Sequence, residues 1–533
     1  MSWINERSRA VSLASIQEQE VDLLVIGGGI TGAGVALDAA SRGLSVALLE
    51  SQDLASGTSG FSSKLIHGGL RYLAKADVGV AWESALERRW LMEFIAPHLV
   101  RPLGYLVAEA KASPRWEFWA AGFGVLLADG MRRLSGLSGQ YLPPPQRLTA
   151  AAAHRLAPEA DPDRMRSALL YWDGQLEDDA RLVIAVARTA AKHGAHVLTG
   201  LKAIAATDRT VTALDERTGG LLNLRAGAVV NATGVWAGQL EGSLDVLPSR
   251  GSHLVVAAER LGNPRAAWTA PVPGHFGRYV FALPQSNGQV YLGLTDELDR
   301  GADGHATAVP ESDVEFLLET VNRTLAEPLL PTDVLGRFAG LRPLISKSGD
   351  GAPGQSADVS RRHVLLDLPG RPITIAGGKL TTYRKMAEDA VDSVLRRLGR
   401  EASCVTRKLA LVGAAPTAEL AALGAPLRLV HRYGSEARLV ESLSRVEPML
   451  AEEVATGSGV TGAELFFGVV AEGASSVPDL LARRSRLAFV PELAAAGTER
   501  AGEVLDAANQ WLAQRGSPGP DEGFGPEALA GSG

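Results

Sequence analysis

The stretch Gly27-Gly28-Gly29-Ile30-Thr31-Gly32 constrains this chain more than any other. A short apolar run, Val21-Asp22-Leu23-Leu24-Val25-Ile26, precedes it. Ala33, Ala36, Leu37 and Ala40 follow at helical spacing, with Gly43 as a stop. Ser45-Val46-Ala47-Leu48-Leu49 then reads as a second strand, closed by Glu50. Strands this apolar belong in a parallel sheet covered on both faces, and strand–helix–strand is the βαβ unit. Within it, Gly27 allows the tight turn, Gly29 lets the backbone approach a pyrophosphate, and Gly32 lets the helix pack on the strand. The helix N-terminus offers unpaired N–H groups and a positive dipole end to phosphates. A carboxylate at Glu50 suits the ribose hydroxyls. A dinucleotide cofactor follows. The motif alone does not separate NAD from FAD, but its place near the N-terminus, with further nucleotide signals far downstream, favours FAD.

Two of those signals are turns. Val229-Val230-Asn231-Ala232-Thr233-Gly234 is an apolar strand ending in small residues, which lets the strand end come close to a cofactor. Gly377-Gly378-Lys379-Leu380-Thr381-Thr382-Tyr383-Arg384 leads into a helix, a second anion-friendly helix start. The third, SSKLIHGGLRYL over Ser62–Leu73, surrounds a Gly-Gly turn with three basic groups.

The remaining chain reads as an α/β protein with further parts. Residues 1–20 suggest a mobile polar arm. The Asp178–Gly194 segment reads as a helix with Asp178 as N-cap. Residues 250–295 are strand-like, 311–326 and 381–398 helical, and the chain beyond Val412 is Ala-, Leu- and Glu-rich and helical. Residues 516–533 form a flexible tail. The expected division is a Rossmann-type FAD-binding domain from 21–95, 165–235 and 340–400, a β-rich substrate domain from 96–164 and 236–339, and a helical domain over 401–515.

A net charge of −7 gives no support to a nucleic-acid partner. The single cysteine, Cys404, excludes an intrachain disulfide and any four-cysteine metal site; no metal is expected. Nothing reaches the roughly 18 apolar residues of a membrane span. Trp116–Leu127 is aromatic-rich, with Arg115 before it and Arg132-Arg133 after it. That suits an element lying in a membrane surface, although a buried helix is the favoured reading.

GGGITGAG, SSKLIHGGLRYL, NATGVWA, GSHLVV, LRPL and GGKLTTYR, in this order and spacing, resemble the FAD-dependent glycerol-3-phosphate dehydrogenases of the aerobic respiratory type. The resemblance is strong over residues 20–400 and looser over 400–515. More broadly the chain is similar to the glycine oxidase and D-amino-acid oxidase superfamily. The resemblance implies oxidation of sn-glycerol 3-phosphate to dihydroxyacetone phosphate, with electrons passing through FAD to membrane quinone. It also implies a cytoplasmic protein attached peripherally to the inner face of the cell membrane, and a homodimer.

Such a substrate needs cations for its phosphate and a proton acceptor at its C2 hydroxyl. Arg71, Arg342 and Lys379 are the candidate cations, since Arg grips phosphate oxygens bidentately and Lys adds a compact charge. Arg342 carries over from the superfamily's Gly-x-Arg-Pro as a residue that binds the substrate anion or faces the reacting carbon. His253 is the candidate general base, while Arg342 is the alternative stabiliser of a developing alkoxide. Tyr72 and Thr295 are further substrate contacts. Ser62, Ser63, His67, Gly68, Gly69, Ala232, Thr233, Gly234, Gly378, Leu380 and Thr381 join Gly27, Gly29, Gly32 and Glu50 on the flavin side. Lys64 has no role in this reading. The rivals are an oxidase that passes electrons to oxygen and a non-catalytic nucleotide-binding carrier.

Overall fold

The computed structural model describes residues 3–69, 77–111, 114–275, 277–299, 308–345 and 362–514. Val21–Ile26 is a buried strand between two parallel neighbours, Val46–Glu50 on one side and Leu221–Asn231 on the other. The order continues outward as His196–Thr199 beyond Val46–Glu50, and as Ile373–Gly377 then His363–Leu366 beyond Leu221–Asn231. All these pairings are parallel except the last. The Ile30–Ser41 helix packs against the Tyr383–Leu398 helix. Gly34 permits this approach: a Cβ there would lie 2.8 Å from the Tyr383 ring.

Among the described residues a second, ten-stranded mixed sheet stands beside the first. Its centre for function is the antiparallel pair Val246–Ala257 and Val334–Ile345, with Gln289–Gly293 on the other side of the former strand. Met165–Leu176, expected in the FAD-binding part, instead pairs along its length with Val100–Ala110 in this second sheet. The helix predicted from Asp178 runs over Asp179–Lys192, and the Asp178 side chain caps it by accepting from Arg181 N–H.

Two expectations fail. The arm of residues 1–20 is helical over Glu6–Glu18, begun by an Asn5 capping box. It is tied down by buried Arg9, which donates to Thr199 O at 2.8 Å and pairs with Asp215 at 2.7 Å. Sparse apolar residues concealed this, because the anchor is an ion pair. The second concerns Trp116–Leu127. It forms the Arg115–Leu134 helix, but Trp116, Trp119, Phe123, Leu126, Leu127 and Leu134 are exposed. No helix among the described residues is long and apolar enough to cross a membrane.

The segment after Val412 folds into short helices and the long Pro491–Gln514 helix around its own apolar core. It docks through buried arginines as well as through an apolar contact, in which Phe489 and Val490 join Tyr105, Val255 and Phe338. Arg484 clasps Asp53 with both Nη atoms, at 2.8 and 2.9 Å. Arg188 does the same to Glu436, at 2.7 and 2.8 Å. Arg181 pairs with Glu472, and Arg486 with Asp178 and Asp179. Removing one partner of such a pair leaves a buried charge uncompensated, a loss of about 3–5 kcal/mol.

Candidate active site

A cavity of about 1520 Å³ runs from the glycine-rich turn to the face of the second sheet. At its cofactor end, Gly27 has φ +108°, and a Cβ on it would lie 2.7 Å from the Ala232 carbonyl oxygen. The two strand ends thus approach closely only because both carry small residues. Glu50 accepts from the N–H of Gly28 at 2.6 Å and of Gln52 at 2.8 Å. Burial pushes its carboxyl up while these backbone donors hold it down, with the first effect larger. Gly29, Thr233, Gly234, Gly378, Leu380 and Thr381 also line the cavity. A bare glycine turn, a helix start and a buried carboxylate at the next strand end fit the pyrophosphate and ribose of FAD. Gly32 stands behind this wall, where a Cβ would lie 1.8 Å from Gly27 O. It therefore serves helix packing.

The loop Ser62–Gly69 brings Ser62, Ser63, His67 and Gly69 to the cavity. The Ser62 N–H and hydroxyl both donate to Asp179, at 2.8 and 2.7 Å. Gly68 is turned away: its N–H donates to Asp173, and a Cβ would collide with the Arg88 guanidinium. Arg71 and Tyr72 lie outside the described residues.

His253 and Arg342 stand on one face of the second sheet. His253 is opposite Phe338, and Arg342 opposite Ser249, so the two side chains share a face at alternate positions of paired strands. Space for them comes from glycines. A Cβ on Gly251 would lie 2.2 Å from Arg342 Nη2, and one on Gly293 would lie 2.3 Å from His253 Cδ2. Arg342 is held by Asp296 at 3.2 Å, Ser249 Oγ at 3.3 Å and the Thr295 carbonyl at 3.2 Å. Thr295 itself does not line the cavity. Its hydroxyl accepts from Ser252 N–H at 2.9 Å, so its part is to fix the strand that carries Arg342's anchor. Lys379 reaches the cavity from the Gly377-Gly378 turn, and its Nζ donates to Ser84 Oγ at 3.0 Å.

His253 is buried, and its Nε2 lies 2.9 Å from Ser63 Oγ. Burial, with Lys64 and Arg342 nearby, lowers its pKa to about 3, so the ring is neutral at physiological pH. Lys64 has no role in the motif reading. The structure buries it 3.3 Å from Asp179 Oδ1 and ringed by Tyr291, Phe338 and Phe489. Asp179, Phe338, Phe489, Arg486 and the two space-making glycines were also missed. Only the strand register and the fold of the distant C-terminal segment bring them to the site.

Residues 22–384 match the model of the FAD dependent oxidoreductase family, and residues 404–516 match the C-terminal domain of alpha-glycerophosphate oxidase. The fold and cradle thus define an FAD-dependent oxidoreductase. Glycerol-3-phosphate dehydrogenase 1 of Mycobacterium tuberculosis is 46% identical over 497 residues, covering 92% of this chain and 95% of that protein. The mitochondrial glycerol-3-phosphate dehydrogenase of Mesocricetus auratus is 34% identical over 91% of this chain and 70% of its own. The crystal structure of the glycerol-3-phosphate dehydrogenase from Bacillus halodurans, complexed with FAD, superposes with a TM-score of 0.70 at 26% identity, covering 96% of this chain and 98% of that one. The chain belongs to the FAD-dependent glycerol-3-phosphate dehydrogenase family.

Proposed function

We propose that this protein oxidises sn-glycerol 3-phosphate to dihydroxyacetone phosphate and passes the electrons to a membrane quinone. The observation that carries the reading is that Arg342 and a neutral His253, on one face of the second sheet, line the same cavity as Lys379 and the dinucleotide cradle. Bound FAD supplies the hydride acceptor, at N5 of its isoalloxazine ring. The residues of this chain do the rest. Lys379 and Arg71 attract and hold the phosphate, and Arg342 orients the C2 oxygen. His253 Nε2 takes the hydroxyl proton. The imidazole is a weak base in the empty site because burial and two cations, Lys64 and Arg342, oppose a third positive charge. A phosphate dianion held by Lys379 and Arg71 adds negative charge that opposes the effect of Lys64 and Arg342, and so raises the basicity of the imidazole. Water exclusion and fixed geometry supply the remainder.

The membrane reading rests on the exposed apolar residues of the Arg115–Leu134 helix, of which Phe123 and Leu127 line the cavity together with Ala121, Gly124 and Val125 while Trp116, Trp119 and Leu126 do not. A lipid-borne acceptor would then approach from the helix's own surface. A second reading, with oxygen as acceptor, draws on the match of residues 404–516 to an oxidase domain. Anaerobic addition of glycerol 3-phosphate should bleach the oxidised-flavin band rapidly, and reoxidation by quinone against oxygen separates the two acceptors. Arg342→Ala should keep its flavin and fail to bleach. A wild-type protein whose flavin does not bleach would refute the proposal.

A further inference from the structure

Phe489 lies in the single turn Leu487–Phe489 of the C-terminal helical unit, yet its ring stacks on Phe338 with centroids 4.3 Å apart and planes 11° apart. Phe338 stacks in turn on His253, at 4.6 Å and 7°. The three rings form one pile of near-parallel planes, with the imidazole at one end and the C-terminal unit at the other.

The pile is seated from several sides. Gly336, two residues before Phe338 and on the same face of its strand, leaves room for the backbone of Phe489. A Cβ there would lie 1.9 Å from the Phe489 carbonyl oxygen. Tyr291 meets Phe338 and Phe489 at its edges, at 5.2 and 6.2 Å. Lys64 Nζ lies 5.0 Å from the Phe489 centroid and 5.3 Å from that of Phe338, so a buried cation faces the same rings. Arg486, three residues before Phe489, binds Asp178 and Asp179. Asp179 accepts from Ser62, whose neighbour Ser63 touches His253 Nε2. The C-terminal unit therefore bears on the imidazole through its ring plane and through the loop that meets its nitrogen. No residue of that unit lines the cavity wall among the described residues.

We propose that Phe489 is a positioning residue for His253: through Phe338 it fixes the plane of the imidazole, and so the direction of Nε2, from a unit that contributes nothing to the wall of the site. The proposal rests on the reading of His253 as the proton acceptor. Close packing makes the mechanism specific. A flat ring backing Phe338 blocks its tilt, whereas an aliphatic side chain leaves a gap into which Phe338, and then the imidazole, can lean. A leaning imidazole still occupies the site but no longer aims at the hydroxyl.

The test is rapid-mixing measurement of anaerobic flavin reduction by glycerol 3-phosphate in the flavin-loaded protein. Phe489→Leu should keep its flavin and its substrate dissociation constant while the limiting reduction rate falls about tenfold, as slight misorientation of a reacting group would cause. Phe489→Tyr, which keeps the ring, should restore the rate. In a His253→Asn background Phe489→Leu should add nothing, since the residue it positions is gone. A limiting rate within twofold of wild type for Phe489→Leu, or the same fold loss with and without His253, overturns the proposal. If Phe489→Leu fails to fold, Gly336→Ala, which pushes the Phe489 backbone away, is read by the same criteria. A His253→Asn protein that reduces its flavin at the wild-type rate sinks the reading of His253, and the proposal with it, before any Phe489 variant is compared.

Discussion

Gly251→Ala adds one methyl group to the strand that carries His253, and its effect follows from distances. Gly251 is not among the glycines with positive φ, so alanine suits its backbone. What changes is space: the new Cβ would stand 2.2 Å from Arg342 Nη2, 2.9 Å from its Cζ and 3.0 Å from Leu294 Cδ1. An unstrained carbon–nitrogen contact is about 3.4 Å, so the guanidinium must retreat by roughly 1 Å. It cannot simply swing aside without leaving Asp296, Ser249 and the Thr295 carbonyl. A displacement of that size costs about 100-fold in rate, or about 2.7 kcal/mol of transition-state stabilisation. The assay is the limiting rate and concentration dependence of anaerobic flavin reduction, with flavin content checked by absorbance. The two parameters also separate the two roles open to Arg342. If it grips the phosphate, the loss appears in substrate affinity; if it stabilises charge on the C2 oxygen, the loss appears in the limiting rate. Affinity and limiting rate both within threefold of wild type would refute the argument that this glycine makes room for the arginine.

Two further predictions follow from burial and exposure. His98 is buried, and burial with Arg181 and His431 nearby lowers its pKa to about 3, against an ordinary value of 6.5. The unfolded chain therefore binds a proton that the folded chain refuses. The associated stability is complete above pH 6.5 and is lost as pH falls from there towards 3, by about 2 kcal/mol at pH 5. His98→Asn should lose about that much less stability than wild type between pH 7.5 and pH 5 in parallel urea titrations; equal losses would contradict it. For the Arg115–Leu134 helix, Trp119→Glu with Leu126→Glu, both exposed and neither lining the cavity, should release the protein from sedimenting anionic lipid vesicles while leaving reduction by soluble substrate intact. Undiminished co-sedimentation would move the membrane contact elsewhere.

The cofactor end of the site was legible because backbone constraints leave local marks. A turn that must take Gly27 at positive φ, a helix that must meet a strand at Gly32 and a carboxylate at a strand end all sit within one βαβ unit. Arg342 and His253 were legible through short motifs, though their motifs do not say which glycine opposes them. That depends on register: Gly293 faces His253 from a neighbouring strand, forty residues away in sequence. The misplaced membership of Thr295 and Gly68 has a similar origin, since a hydroxyl or a glycine near a motif can point to either side of its strand or loop. Exposure of the Trp116–Leu127 face was illegible for another reason. An aromatic-rich helix packs inward or stands outward according to what the rest of the chain lays over it.

The arginine-rich docking of the C-terminal unit also sets an order of events during synthesis. Domains form as the chain emerges, at about 5–20 residues per second. Both sheets, and with them Arg342, leave the ribosome before Arg484, Arg486 and Phe489. For roughly five to twenty seconds the growing chain holds a cradle whose Asp53 still lacks Arg484, whose Asp178 and Asp179 lack Arg486, and whose Phe338 lacks Phe489. A flavin bound at that stage would meet a His253 whose stacking partner Phe338 is not yet backed by Phe489.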